Sequence, residues 1–372
     1  MSVMIDIAGL PPERMVFRAS PLAELCAALH ALAEPVHHPG LHGWTTATNS
    51  ALKPDLADRL CEADFLWRST FSDISLPFAA LPHTQGVPGA TLAEDLDLLD
   101  RLDDQVFVDA ALEISCSSRY SRPGPSPLVD AEARHYAMER AMARGPRAVE
   151  FARRILDDPP TVRAWLRRLF EDCAEAFFND TWQRVRVQLT ADARHKTEVL
   201  RRKGLTEALA EVSPAVTLTE DGTRINVDKL GNGRTTALDP AIGPGVTFVP
   251  SSFGWPHVWV LHAPGWRPVV HYPVAAAELP GPESLELLKL RLEALAHPMR
   301  IRMCRYLARS AYTTGELATA HDISAPEVSR HISVLKKAGL LTTRRRGRYV
   351  LHQLDLTVVA RLGSDFLEGV LR

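Results

Sequence analysis

The residues best suited to chemistry with a partner stand between Ser324 and Tyr349. The run SAPEVSRHISVLKKAGL places Ser324, Pro326, Glu327, Ser329, Arg330, His331, Ser333, Lys336 and Lys337 close together. Short polar groups beside long cations can reach both the base edges and the phosphates of duplex DNA. The run LLTTRRRGRYV then adds Arg344, Arg345, Arg346 and Arg348, with Tyr349 beside them. Arginines packed this closely repel one another in water. Beside a phosphate backbone they gain charge-assisted hydrogen bonds and release counterions. These residues are expected to contact DNA.

Two further sets could do chemistry. Phe248, Phe253, Trp255, Trp259, Trp266 and Tyr272 fall within 25 positions and could line an apolar effector pocket. The same residues also suit the core of a small sheet, and both readings stay open. Histidines gather as His37, His38 and His42 in HHPGLHGW, and again as His257, His262 and His271. A zinc site needs three or four ligands. No cysteine is near either group and the first lies around a Pro-Gly loop, so no metal set is assigned. The motifs G-x-S-x-G, H-E-x-x-H, the P-loop and G-x-G-x-x-G after a strand are all missing. No catalytic residue and no cofactor is assigned, and the chain reads as a non-enzyme.

The elements that must position the basic residues read clearly. Leu285–Ala296 is an amphipathic stretch stopped by Pro298, which itself opens PMRIRMCRYLAR. Ile301, Cys304, Tyr306 and Leu307 are expected on the buried side of that helix. Thr313 and Glu316 have capping-box spacing, as do Ser324 and Glu327. The turn between the two helices is His321-Asp322-Ile323. Val328, Ile332 and Leu335 share one helical face, opposite the polar and cationic residues. Gly339 ends that helix. LLTTRRRGRYVLHQLD alternates as a hairpin with Gly347 at its tip. A last helix over about 355–371 carries Leu356, Val359, Leu362, Phe366, Leu367 and Val370 as an apolar set that needs a partner.

Ahead of this tail the chain is mostly helical. PLAELCAALHALAEP has start and stop signals at Ser20-Pro21 and Pro35, while MIDIAGL and RMVFRAS could be strands. EDLDLLDRLDD reads as a solvated amphipathic helix on Leu92, Leu96, Leu99 and Leu102. Residues 130–212 read as helix throughout. Between 214 and 273, AVTLT, TRINVD, GVTFVP, HVWVLH and RPVVHYP are short β-branched or aromatic runs separated by turn residues. The fold class is therefore α+β. A largely helical N-terminal region spans 1–212, with a subdivision near 120–130. A small antiparallel sheet and linker follow over 213–282, and a winged helix-turn-helix over 283–372.

Charge follows the same division. Leu285–Arg372 holds 15 Lys and Arg against 8 Asp and Glu, a net +7, while the rest of the chain holds 28 against 37, a net −9. DNA attracts the first and repels the second. The five scattered cysteines, the absence of 18 consecutive apolar residues and the lack of a basic leader at Met1–Leu10 point to a cytoplasmic chain without membrane spans.

The stretch LEALAHPMRIRMCRYLA…TTGELATAHDISAPEVSRHISVLKKAGLLTTRRRGRYVLHQL resembles the ArsR-type winged helix-turn-helix. The resemblance covers about 70 residues. It implies a homodimer built from the first and last helices of this domain, on a palindromic double-stranded DNA operator. Glu327, Ser329, Arg330 and His331 would lie near the bases. Metal-sensing members carry paired cysteines in the helix before the recognition helix, where this chain reads ELATAHD. The whole chain resembles long ArsR-like regulators with a large N-terminal region. It is expected to be a dimeric repressor whose N-terminal region senses a small molecule or a partner. An enzyme or a protein-interaction module tethered to a DNA-binding domain is the alternative.

Overall fold

A computed structural model describes residues 2–68, 72–112, 124–229, 232–274, 285–346 and 349–356, together with 358, 359, 362, 363, 365 and 366. The side chain of Arg346 lies outside the described residues, as do Cys116, Gly347, Arg348, Leu367 and Val370. The chain divides into two compact units, Met1–Leu279 and Pro280–Leu371.

The first unit opens with strands β1 (Ser2–Asp6) and β2 (Met15–Phe17). Ten α-helices follow among the described residues: α1 (Pro21–Ala33), α2 (His42–Ala51), α3 (Pro54–Ala63), α4 (Leu92–Asp100), α5 (Asp104–Leu112), α6 (Ala131–Met142), α7 (Pro146–Asp157), α8 (Pro159–Cys173), α9 (Asn179–Lys203) and α10 (Leu205–Val212). Then come β3 (Val216–Leu218), β4 (Arg224–Asp228), β5 (Gly233–Thr236), β6 (Val246–Ser251), β7 (Trp259–Leu261) and β8 (Val269–Pro273). Helix starts are set locally. Ser20, Thr91, Asp130 and Asp158 each accept a backbone N–H of the first turn, and proline opens α1, α7 and α8.

The α+β class holds, but the sheet differs from the single antiparallel one expected. Among the described residues the strands form two four-stranded mixed sheets, ordered β3-β4-β1-β5 and β2-β6-β8-β7. β1 runs antiparallel to β4 with Ile5 opposite Ile225, and parallel to β5 with Val3 opposite Gly233. β2 and β8 both run parallel to β6, placing Phe17 and Val270 on either side of Phe248. The reason is topological. β1 and β2 precede the helices and pair with strands that follow them, and β7 lies on the outer side of β8, so no hairpin sets the direction of the parallel pairs β1–β5, β2–β6 and β6–β8. The sheet segment thus draws one strand of each sheet from the start of the chain. β6 is buried at every position, as a central strand covered on both faces must be.

Two apolar cores result. The larger gathers α1, α3–α5, α7 and α8 with Val249, Phe253, Leu261, Trp266 and Val269. The smaller places Phe248, Val270 and Tyr272 against β1, β2, α10 and the later part of α9. Asp95 departs from the solvated face expected of α4. It is buried and accepts hydrogen bonds from Ser20 Oγ (2.8 Å), Leu22 N (3.1 Å) and Gly89 N (2.7 Å). It therefore ties α4 to the start of α1.

The second unit contains α11 (Leu285–Leu295), α12 (Pro298–Leu307), α13 (Thr314–His321), α14 (Ala325–Lys337), β9 (Leu341–Arg346) and β10 (Tyr349–Leu354). Its core is Ala294, Met303, Leu307, Leu317, Val328, Ile332, Leu335, Leu340, Leu341 and Leu354. α12 turns differently from the expectation. Met303 and Leu307 are buried, whereas Ile301 and Tyr306 are exposed. Met303 and Leu307 stand one helical turn apart and fix the inward face, which carries Ile301 away from it. Val359 and Leu362 pack on this core, while Leu356 and Phe366 are exposed. Arg291 of α11 is buried and donates to Asp365 at 3.1 Å, closing the unit with an internal ion pair.

Candidate nucleic-acid interface

α13 and α14 are capped by their own sequences. Thr313 accepts the N–H of Glu316 at 3.2 Å, and the Glu316 carboxylate accepts the N–H of Thr313 at 2.7 Å. Both halves of the capping box are made. The Thr313 N–H and then its hydroxyl, both donating to the Glu316 carboxylate, hold that carboxyl below its usual range. At the second expected box, Ser324 Oγ accepts the N–H of Glu327 at 3.3 Å, the N-cap half of the pair. Between the helices Asp322 adopts a left-handed conformation at φ 51°, which short polar side chains tolerate. The end of α14 is equally local. Gly339 (φ 67°) donates to Lys336 O and Leu340 to Leu335 O, both at 3.0 Å, the paired bonds of a Schellman motif. Leu335 and Leu340 are both buried beside it.

This framing fixes which side of α14 faces outward. Val328, Ile332 and Leu335 are buried. Ser324, Pro326, Ser329, Arg330, Ser333, Lys336 and Lys337 are exposed, and Glu327 and His331 are half-buried. The His331 ring lies 4.9 Å from that of His297. Burial, with His297 and Arg300 next, holds His331 below its ordinary pKa, so the ring is neutral and can both donate and accept. β9 and β10 pair from Leu341↔Leu354 to Arg346↔Tyr349. Arg344, Arg345 and Tyr349 are exposed on this hairpin. The expected contacts of Arg348 and of the Arg346 side chain fall outside the described residues. The described cations of α14 and the hairpin, set on rigid elements, can bind an anionic backbone and present hydrogen-bond groups to base edges.

A second cationic group lies outside the set expected from the sequence. Arg302 and Arg305 of α12, with Arg309 just beyond it, line a pocket of ≈ 400 Å³ with Tyr306, Tyr312 and His321. Its charge suits an anion such as phosphate. The signal was present, since positions 302, 305 and 309 share a helical face.

The aromatic set proposed for an effector does not gather around one cavity. Phe248 and Tyr272 belong to the smaller core, where Phe17 stacks on Phe248 at 4.6 Å and the Tyr272 hydroxyl donates to Asp192 at 2.6 Å. Phe253, Trp266 and Trp259 pack with the larger core. Trp255 is half-buried, and its carbonyl lies 2.6 Å from His38 Nδ1. Strand register sets Phe248 and Tyr272 on one face of this sheet and Trp259, opposite His271, on the other, while Phe253, Trp255 and Trp266 lie outside the strands. A half-open pocket of ≈ 160 Å³ lies elsewhere, lined by Leu29, Leu60 and Trp67 among others. It is smaller than the roughly 300–1,000 Å³ of small-molecule sites.

Comparison with known proteins covers both units. Residues 1–278 match DUF5937, a family of unknown function, and residues 295–344 match a helix-turn-helix domain family. A biofilm growth-associated repressor of Agrobacterium fabrum is 37% identical over 71 residues, which are 19% of this chain and 61% of that protein. The chain thus spans about three fifths of that relative's length. The HTH-type transcriptional repressor SmtB of Mycobacterium tuberculosis is 37% identical over 97 residues, covering 23% of this chain and 72% of the repressor. A homodimeric winged helix-turn-helix DNA-binding domain of Mycobacterium bovis, a possible ArsR-family regulator, is 27% identical with a TM-score of 0.20, covering 23% of this chain and 79% of that one.

Proposed function

This chain belongs to DUF5937, a family of unknown function, and carries a helix-turn-helix domain of the ArsR type; from that premise we propose that it is a sequence-specific DNA-binding transcriptional repressor that works as a dimer. The observation that carries the reading is α14. Its ends are capped, its apolar side is buried, and Ser329, Arg330, Ser333, Lys336 and Lys337 face outward. Such a helix enters the major groove with its first turns at the bases. Glu327, Ser329, Arg330 and His331 then read base edges, while Lys336, Lys337 and the hairpin arginines hold phosphates. The relatives named as repressors support the sign of regulation.

Dimerisation is favoured by apolar surface at the expected elements. Leu285, Leu290 and Leu292 of α11, with Leu356 and Phe366, are each 44–55% exposed. A second copy covers such a row at a two-fold interface. The N-terminal unit supplies the input to which this dimer responds. The test is fluorescence anisotropy of the full chain on DNA from upstream of its own gene and on a scrambled duplex, across a salt series. The reading expects operator binding at least about 10³-fold tighter than scrambled. Binding to both only at roughly 10⁻⁴–10⁻⁶ M would overturn it.

A further inference from the structure

Four histidines meet inside the first unit. His30 lies on α1, His37 closes the 3-10 turn Pro35–His37, His38 follows it, and His257 stands in the loop before β7. Their ring centroids are 5.0–6.4 Å apart. One ring nitrogen from each of His30, His37 and His257 lies within 4.8 Å of the other two.

The orientation of His30 is the telling feature. Its Nδ1 is 2.6 Å from the carbonyl oxygen of Trp67. A carbonyl can only accept, so Nδ1 carries the hydrogen and the neutral ring keeps a lone pair on Nε2. His30 is 2% exposed, and that Nε2 is buried with no hydrogen-bond partner. Proteins orient metal-binding histidines in this way, with one nitrogen donating to a backbone carbonyl and the other presented to the ion. His37 buries Nδ1 without a hydrogen-bond partner in the same cluster. His38, held by the Trp255 carbonyl at 2.6 Å, ties this segment to the loop that carries His257. Trp259 walls the cluster, with its ring 5.6 Å from His30 and 5.3 Å from His257.

We propose that His30, His37 and His257 form a zinc site in the N-terminal unit, with the fourth coordination position open. Three imidazoles without a carboxylate or thiolate suit a borderline cation and disfavour magnesium or calcium. Zinc binds histidine nitrogen at about 2.0–2.1 Å, which sets tetrahedral ligands roughly 3.3 Å apart. The three nitrogens therefore draw together around the ion. His37 and His257 are half-buried in a turn and a loop and can make that adjustment, while α1 holds His30 in place. The site lies outside the helix-turn-helix and does not depend on its reading as a DNA-binding module.

The test uses the full chain, stripped with a chelator and then titrated with zinc against a chromophoric competitor, and in parallel with cobalt(II). One zinc per chain is expected, together with the intense visible bands of tetrahedral cobalt. His37→Ala and His257→Ala, each with an unchanged circular dichroism spectrum, should weaken zinc binding by roughly tenfold or more. His42→Ala, outside the cluster, should leave it unchanged. His30→Ala opens the buried end of α1, so the two loop variants carry the test. Absence of stoichiometric uptake by the folded wild-type chain overturns the proposal. So does uptake of equal affinity in both loop variants, which would place the metal elsewhere.

Discussion

The cations of the second unit stand on its surface at Arg330, Lys336, Lys337, Arg344 and Arg345, and its buried Arg291 is met by Asp365 at 3.1 Å. The first unit places ionisable groups inside its cores instead. Glu24, His30, His38, Asp95, Lys196 and His271 are all buried. Burial pushes Glu24 up to about 7 and Asp95 up to about 6, and it pushes His271 down to about 3. In the acidic unit burial thus favours the uncharged forms of Glu24, Asp95 and His271, whereas the basic unit keeps its surface cations in water, where a polyanion can reach them. Placement of charge, more than its amount, separates an internal chemistry from a surface one.

The largest test of that contrast is Asp365→Ala. Removing one partner of a buried ion pair costs about 3–5 kcal/mol. Hydrogen exchange should show α14 losing protection while β6 keeps its own. Equal loss in both units would erase the division between them. Glu24→Gln probes the other side. The folded chain holds the Glu24 proton more tightly than the unfolded chain does, so stability falls as pH rises from 4.5 to about 7. The group accounts for about 3 kcal/mol of that fall. Urea unfolding near pH 4.5 and pH 8 should show the variant gaining about that much on the wild type at the higher pH. An unchanged gap would mean that Glu24 ionises normally.

Surface charges should act on binding and leave stability nearly untouched. Arg330→Ala is expected to cost about 1–3 kcal/mol on the operator and to relax specificity. Arg345→Ala should weaken all sequences alike and reduce the salt slope by about 1. Identical behaviour of the two variants would remove the distinction between base and phosphate contacts. The smallest effect is Thr313→Ala, which removes half of the α13 capping box and costs about 1 kcal/mol, read as a shift in the unfolding midpoint.

The helix-turn-helix was legible because its instructions are local. Capping pairs lie three residues apart, the buried side of α14 repeats every three or four, and the wing alternates. In α12 several apolar residues compete for the inward face, and packing chose Met303 and Leu307. The aromatic set of the sheet looked like one group because its members are near in sequence. Pleating sent Phe248 and Tyr272 to one face and Trp259 to the other, and Phe253, Trp255 and Trp266 lie outside the strands.

By itself the sequence determined the class of the fold, the ends of α13 and α14, the outward cations of α14 and the split of charge between the two units. Only tertiary structure decided the mixed direction of the sheets, the burial of Asp95 and the meeting of His30 with His37 and His257. His38 and Trp255 are 217 positions apart, yet they share a hydrogen bond. No local pattern encodes such a contact. It arises because strands on either side of a long helical stretch close into common sheets, and that closure is a property of the whole folded unit.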